Sequence, residues 1–221
     1  MSKFEDVLKK SKGYGAFEER EKQIEEGQKD RAFRFWLPPE KGSKIIFLDD
    51  DPVILEEHQI KIKGDWKNWF TCARVTGEPC LICDKLGDLP STVGYYTILD
   101  LSSYTDSKGN ERSNTVKLLA PKFRALQMLK RASAKRGGLE LWVVDVYRTT
   151  EKAYNVGDVY DFEEKTTWDK VKELNSEAKV LDYAELLKPK PQAHLRQLLM
   201  DSTESSNDAG VDEVNEDEID F

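Results

Sequence analysis

The order of apolar and polar positions changes character near Ala32. Before it, residues 17–28 are rich in Glu and Lys with few apolar positions, so any helix there is mostly solvated. After it, Phe33, Phe35 and Leu37 alternate with Arg34 and Trp36 until Pro38-Pro39 stops the run. A period of two is that of a half-buried strand. Gly42-Ser43 leads into a short apolar strand over 44–48, and Asp49-Asp50-Asp51-Pro52 is a turn. Ile60 and Ile62 alternate with Lys61 and Lys63, which predicts a strand over 53–63. A loop carrying the cysteines follows to about Leu89. Strands are predicted over 94–103 and 114–120, on either side of a turn at 107–110. Pro121 opens a helix from about Lys122, with Phe123, Leu126 and Leu129 as its apolar core stripe and Gly137-Gly138 as its stop. Two strands close the pattern, 139–149 with Trp142 buried in it, and 154–162 bent at Gly157-Asp158. Residues 165–200 read as helical pieces broken at Pro189 and Pro191.

The order is therefore strand, strand, loop, strand, strand, helix, strand, strand. A small barrel with its helix inserted before the last two strands is the layout of an OB-fold. An unrelated α+β sheet is the alternative.

Length and composition fit this reading. The chain has 221 residues and 38% hydrophobic positions, enough for a core, and no apolar run approaches the roughly 18–20 residues of a membrane span. Met1-Ser2-Lys3-Phe4-Glu5-Asp6 lacks the apolar stretch of a secretory signal. Three clustered cysteines, an odd number, do not suit a secreted disulfide framework, so a reducing cytoplasm is expected.

The net charge of −8 discourages a nucleic-acid reading until its distribution is seen. Residues 201–221 hold nine of the 42 acids and no Lys or Arg, so residues 1–200 balance 34 basic against 33 acidic residues. Such asymmetry marks an acidic tail on a body with its own electrostatics. The tail lacks the hydrophobicity to fold and is expected to be disordered. It nevertheless ends in apolar Ile219 and Phe221 around Asp220, which solubility alone does not require.

The sharpest chemical signal is His58, Cys72, Cys80 and Cys83, within 26 residues and including every cysteine of the chain. Three soft thiolates and an imidazole form a tetrahedral set that suits one structural Zn²⁺, and four protein ligands leave no open position for a reactive water. Gly77-Glu78-Pro79 gives the turn that aims Cys80 and Cys83 at one ion. His194, the second histidine, reads as a surface residue. Two other readings remain: buried cysteines beside a core histidine, and a redox Cys-x-x-Cys pair. Structural zinc contributes on the order of 10–16 kcal/mol in small fingers, enough to hold a loop poor in aliphatic residues.

Basic residues interleave with aromatics in two places. From 112 to 139 there are eight, Arg112, Lys117, Lys122, Arg124, Lys130, Arg131, Lys135 and Arg136, and no acid. Lys61, Lys63, Lys67 and Arg74 alternate with Trp66, Trp69 and Phe70, and Tyr95, Tyr96 and Tyr104 form a third aromatic group. Cations track phosphates and flat rings stack on unpaired bases. The phosphate candidates are Lys61, Lys63, Lys67, Arg74, Lys117, Lys122 and Arg124; the stacking candidates are Trp66, Trp69, Tyr95, Tyr96 and Tyr104. The last four basic residues of the helix read equally as a solvated face. No P-loop or metal-binding carboxylate constellation is present, so a non-catalytic protein is expected. A zinc-stabilised nuclease and a zinc-containing replication or transcription adaptor are the competing classes.

At Ser43-Lys44-Ile45-Ile46-Phe47-Leu48, at His58 with Lys61-Ile62-Lys63-Gly64-Asp65-Trp66, at Cys72, Cys80 and Cys83, and at Gly94-Tyr95-Tyr96-Thr97-Ile98-Leu99, the chain resembles the phage single-stranded DNA-binding proteins of the T-even helix-destabilising type. The resemblance covers roughly residues 42–148. It implies cooperative binding of single-stranded DNA in an OB-fold cleft beside a zinc subdomain. It also implies a basic arm for self-association, to which Lys9-Lys10-Ser11-Lys12 is similar. An acidic tail would recruit replication proteins such as polymerase, helicase or primase, and recombination mediators. The expected fold class is thus mainly β with helices (α+β): an OB-fold-like barrel with an inserted zinc-binding loop, a helical C-terminal segment and a disordered acidic tail. The expected divisions are an arm over 1–30, a core over 31–164 with its zinc subdomain at 58–89, a helical segment over 165–200 and the tail over 201–221.

Overall fold

Alternation at the first apolar run places its side chains as the period of two requires: Phe35 and Leu37 are buried, while Trp36 between them is 54% exposed. Only Phe33–Arg34 of this run pairs as a strand, β1. The structure, a computed structural model, describes Gly15 and residues 33–62, 65–105, 109–193 and 195–196. The arm apart from Gly15, Lys63, His194 and the tail with Ile219, Asp220 and Phe221 lie outside the described residues, as do the side chains of Trp66 and Lys67.

The remaining strands are β2 (Lys41–Phe47), β3 (Val53–Ile62), β4 (Asp65–Thr71), β5 (Ser91–Asp100), β6 (Tyr104–Thr105), β7 (Glu111–Arg112), β8 (Thr115–Leu119), β9 (Trp142–Arg148) and β10 (Val159–Lys165). The helices are α1 (Phe123–Arg136), α2 (Trp168–Leu174) and α3 (Tyr183–Leu186). The chain is therefore α+β with a mostly antiparallel sheet. Among the described residues, no helix is long and apolar enough to cross a membrane.

Two compact units divide the fold. One takes the chain through Asp49, then Thr97–Leu119 and Glu140–Leu181; the other takes Asp50–Tyr96, Ala120–Leu139 and the chain from Asp182. In the first, strands run in the order β1-β8-β5-β2-β9-β10. Neighbours are antiparallel where β2 meets β5 and β9 and where β9 meets β10, while β1 runs parallel to β8. The ends β1 and β10 do not pair, so the barrel is not closed. Ile46, Leu48, Leu99, Val143, Val171 and Ala178 form one core cluster of this unit, with α2 supplying Val171.

A network of buried polar groups ties three of its strands. Asp100 on β5 accepts from Ser43 Oγ of β2 at 2.6 Å and from Lys117 Nζ of β8 at 2.6 Å. Arg148 is buried at the end of β9, where it donates to the carbonyls of Leu37, Glu151 and Ala153 and so pins the loop before β10. The last strand, expected over 154–162 with a bend at Gly157, starts only at Val159; Gly157 lies in the turn before it, with φ +87°, and a Cβ there would lie 2.4 Å from Val146 Cγ1. Only glycine suits that backbone and that space.

In the second unit β3 pairs with β4 and with the first half of β5. Strand β4 lies where a loop is expected, and Ile60, Phe70, Cys72, Ala73, Cys80, Ile82 and Leu195 form a core cluster around it. The segment thus builds a small core of its own, using cysteine sulfur as apolar volume. Helix α1 begins and ends as expected, with Gly137 closing it at φ +71°. Its inward residues are Ala125 and Leu129; Phe123, expected in the apolar stripe, is 63% exposed.

Candidate metal centre

The β3–β4 ladder brings the first two members of the cluster together. His58 stands opposite Phe70, and Cys72 N continues the ladder by donating to Glu56 O at 2.8 Å, so Cys72 is the diagonal neighbour of His58. A 3₁₀ turn at Ala73–Thr76 ends at Gly77, whose φ of +80° reverses the chain toward Cys80. A π-helical turn, Ile82–Leu86, follows, and Asp84 N donates to Cys80 O. This compact knuckle turns Cys80 and Cys83 toward the strand pair.

The four ligand atoms, His58 Nε2 and three sulfurs, all lie within 4.8 Å of one another. His58 Nε2 is 3.4 Å from both Cys80 Sγ and Cys83 Sγ, and the sulfurs of Cys72 and Cys83 are 3.7 Å apart. The cysteines are free, and that sulfur separation is far beyond a disulfide bond of about 2.0 Å. His58, Cys72 and Cys80 are buried and Cys83 partly so. Such a cluster could hold one metal ion. Leu195 closes the apolar floor beside it.

His58 is oriented by a residue without a cysteine-like signature in the sequence. Its Nδ1–H donates to Asp88 Oδ2 at 2.7 Å, which leaves the Nε2 lone pair facing the sulfurs. A carboxylate behind a ligating imidazole fixes tautomer and ring orientation and strengthens the ligand. Asp88 follows Gly87, whose φ is +63°, so the turn that ends the knuckle delivers it. Arg74 pairs with Asp84 at 2.9 Å on the surface, which raises the Arg74 pKa.

The three thiols differ in acidity. Burial opposes ionisation of Cys80, but backbone amides of Cys83, Ala73 and Ile82 donate to its sulfur and lower it to about 7. Burial and the neighbouring sulfurs push Cys83 up to about 12, and burial also raises Cys72. A bound ion requires all three as thiolates, so uptake near neutral pH releases about two to three protons. Affinity is accordingly expected to fall by about two to three orders of magnitude per pH unit below neutrality. A chelator competition at about pH 7 and about pH 6 checks this; pH-independent affinity would contradict thiolate ligation.

The residues proposed from sequence for phosphate and base contact are placed unevenly. Tyr95 and Tyr96 are 0% and 2% exposed, and Tyr95 Oη donates to Glu57 at 2.7 Å. Strand β5 is buried on both faces from Val93 onward, so neither ring offers a stacking surface. Lys117 is committed to Asp100, and its ammonium sits 4.9 Å from the centroid of Tyr104, whose ring is therefore also engaged. Lys61, Arg74 and Arg124 are exposed; Lys122 and Trp69 are half-buried. Trp142 is half-buried in β9. Among protein-family models, curated proteins and solved structures, none matches this chain.

Proposed function

We propose that the chain is a non-catalytic single-stranded DNA-binding protein on an OB-fold-like frame, coating and protecting strands in phage replication, recombination and repair. One observation carries the reading: eight basic residues and no acid between 112 and 139, in a chain of net −8, with Arg112, Arg124, Lys130, Arg131 and Lys135 exposed. The strand path supports it. The order β8-β5-β2-β9-β10, with α1 between β8 and β9, follows the connectivity of a five-stranded OB-fold, with β1 against β8 at the edge where such a barrel would close.

The ion is taken to be a single structural zinc. Zinc bonds of about 2.3 Å to sulfur and about 2.0–2.1 Å to nitrogen give tetrahedral edges of about 3.8 Å between sulfurs and about 3.5 Å between sulfur and nitrogen. Three of the six separations, 3.7 Å between Cys72 and Cys83 and 3.4 Å from His58 to Cys80 and to Cys83, match those edges, and all six are within 4.8 Å. Four protein ligands would leave it structural, holding β3, β4 and the knuckle in one piece. The acidic tail ending in Ile219, Asp220 and Phe221 would compete with DNA for the cations and recruit replication and recombination proteins, in the host cytoplasm.

Titration with oligo-dT tests the reading. Tryptophan fluorescence should quench, and log affinity should fall linearly with log salt at about −0.7 per phosphate contacted. No binding at low salt, by the full chain or by a chain lacking 201–221, would sink it and leave the adaptor reading, in which the metal unit and tail bind proteins.

A further inference from the structure

We infer that the solvent face of α1 is where a nucleic acid strand is held, with Phe123 stacking on an unpaired base and Arg124, Arg131 and Lys135 holding its phosphates. This rests on the single-stranded DNA-binding reading above and gives it a surface.

Phe123 has the most exposed aromatic ring among the described residues, at 63%. Helical phase explains why. Ala125 and Leu129 face inward, about 200° and 240° around the helix from Phe123 at about 100° per residue. Arg124, Arg131 and Lys135 share a stripe, and Phe123, Gln127 and Lys130 form the stripe beside it. With a rise of about 1.5 Å per residue, the stripe places its cations about 10 Å and then about 6 Å apart along the axis. A run of backbone phosphates can follow such a row.

Charge accounting separates this face from the other basic candidates. Lys44 pairs with Glu163, Arg74 with Asp84 and Lys117 with Asp100. Arg124, Lys130, Arg131 and Lys135 are exposed and form no ion pair with a described residue. The arrangement works against the helix itself. Its first turn holds Arg124 and no acid, at the end where the dipole disfavours a cation. Arg131 and Lys135 stand at i and i+4, where like charges repel. An external polyanion offsets both terms.

An exposed flat ring at the edge of the row selects among polyanions. A duplex keeps its bases stacked inside, and a lipid headgroup or acidic peptide presents no ring to stack. A single strand presents both charges and bases.

The test uses the full chain with its metal and end-labelled oligo-dT, comparing wild type with Phe123→Leu, Phe123→Trp and the triple variant Arg124→Gln, Arg131→Gln, Lys135→Gln. All four positions are exposed, so metal content and thermal midpoint should match wild type. Phe123→Leu should weaken binding about 5- to 150-fold with the salt slope unchanged, the loss of one stacked base. Phe123→Trp should retain affinity and add a quench signal. The triple variant should reduce the magnitude of the salt slope by about 2. If wild type binds and every variant binds with the same affinity and slope, the helix face is excluded while the DNA-binding reading stands. If wild type binds no oligonucleotide, both fall. Equal affinity for a duplex, with the same loss in Phe123→Leu, overturns the stacking role.

Discussion

Cys80→Ser is expected to yield protein without bound metal and with β3, β4 and the knuckle unfolded. The sulfur is buried, lies 3.4 Å from His58 Nε2 and receives the amides of Ala73, Ile82 and Cys83. A serine hydroxyl there is smaller, does not ionise near neutral pH and offers a hard oxygen where a soft thiolate is needed. A structural zinc contributes about 10–16 kcal/mol in small fingers, against a whole-domain stability of about 5–15 kcal/mol. Among the described residues the apolar cluster around the site has seven buried members, and two are Cys72 and Cys80 themselves, so the packing of β3, β4 and the knuckle depends heavily on the site. Metal analysis paired with amide hydrogen exchange reads the result. Protection should vanish in β3, β4 and the first half of β5 and persist in β2 and β9. Wild-type metal content and protection in the variant would refute the proposed structural role of a metal.

Asp100→Asn is expected to cost about 3 kcal/mol, the low end for removing one partner of a buried ion pair, because Lys117 keeps 14% of its side-chain surface. Burial works to raise the Asp100 carboxyl, but Lys117, Ser43 and the Ser102 amide outweigh it and hold it below its ordinary value. A carboxyl lowered in the folded state adds stability that is complete above its unfolded value, about 3.9. That stability drains away as pH falls through the folded value. The gap between wild type and variant should therefore be constant from about pH 5 to 8 and close below about pH 4. Urea melts across that range measure it. A variant as stable as wild type near neutrality, or a gap unchanged in acid, would show that the network does not tie the strands.

Where the chain alternates, its structure could be read directly. Trp36 points out between buried Phe35 and Leu37, and Gly137 stands where the helix stops. The ligand set could be read because cysteine is scarce and its spacing tight. Four features resist such reading for separate reasons. Strand β4 carries Trp, Lys, Asn and Trp in succession, a polar and aromatic mix that resembles a loop until its pairing with β3 is known. Tyr95 and Tyr96 assume a one-sided strand, and β5 is covered on both sides. Phe123 sits at the first position of α1, where one turn of pattern does not fix which side faces inward. Asp88 leaves no trace at all, since a carboxylate after a glycine is ordinary in any turn.

The second unit is assembled from three separate stretches of chain, and Leu195 from the last of them joins the apolar cluster beside the site. During synthesis the four ligands emerge long before that leucine. At about 5–20 residues per second, the interval between Cys83 and Leu195 is about 6–22 s. If the cluster takes up an ion as proposed, the four residues are available to it well before the core beside them is complete.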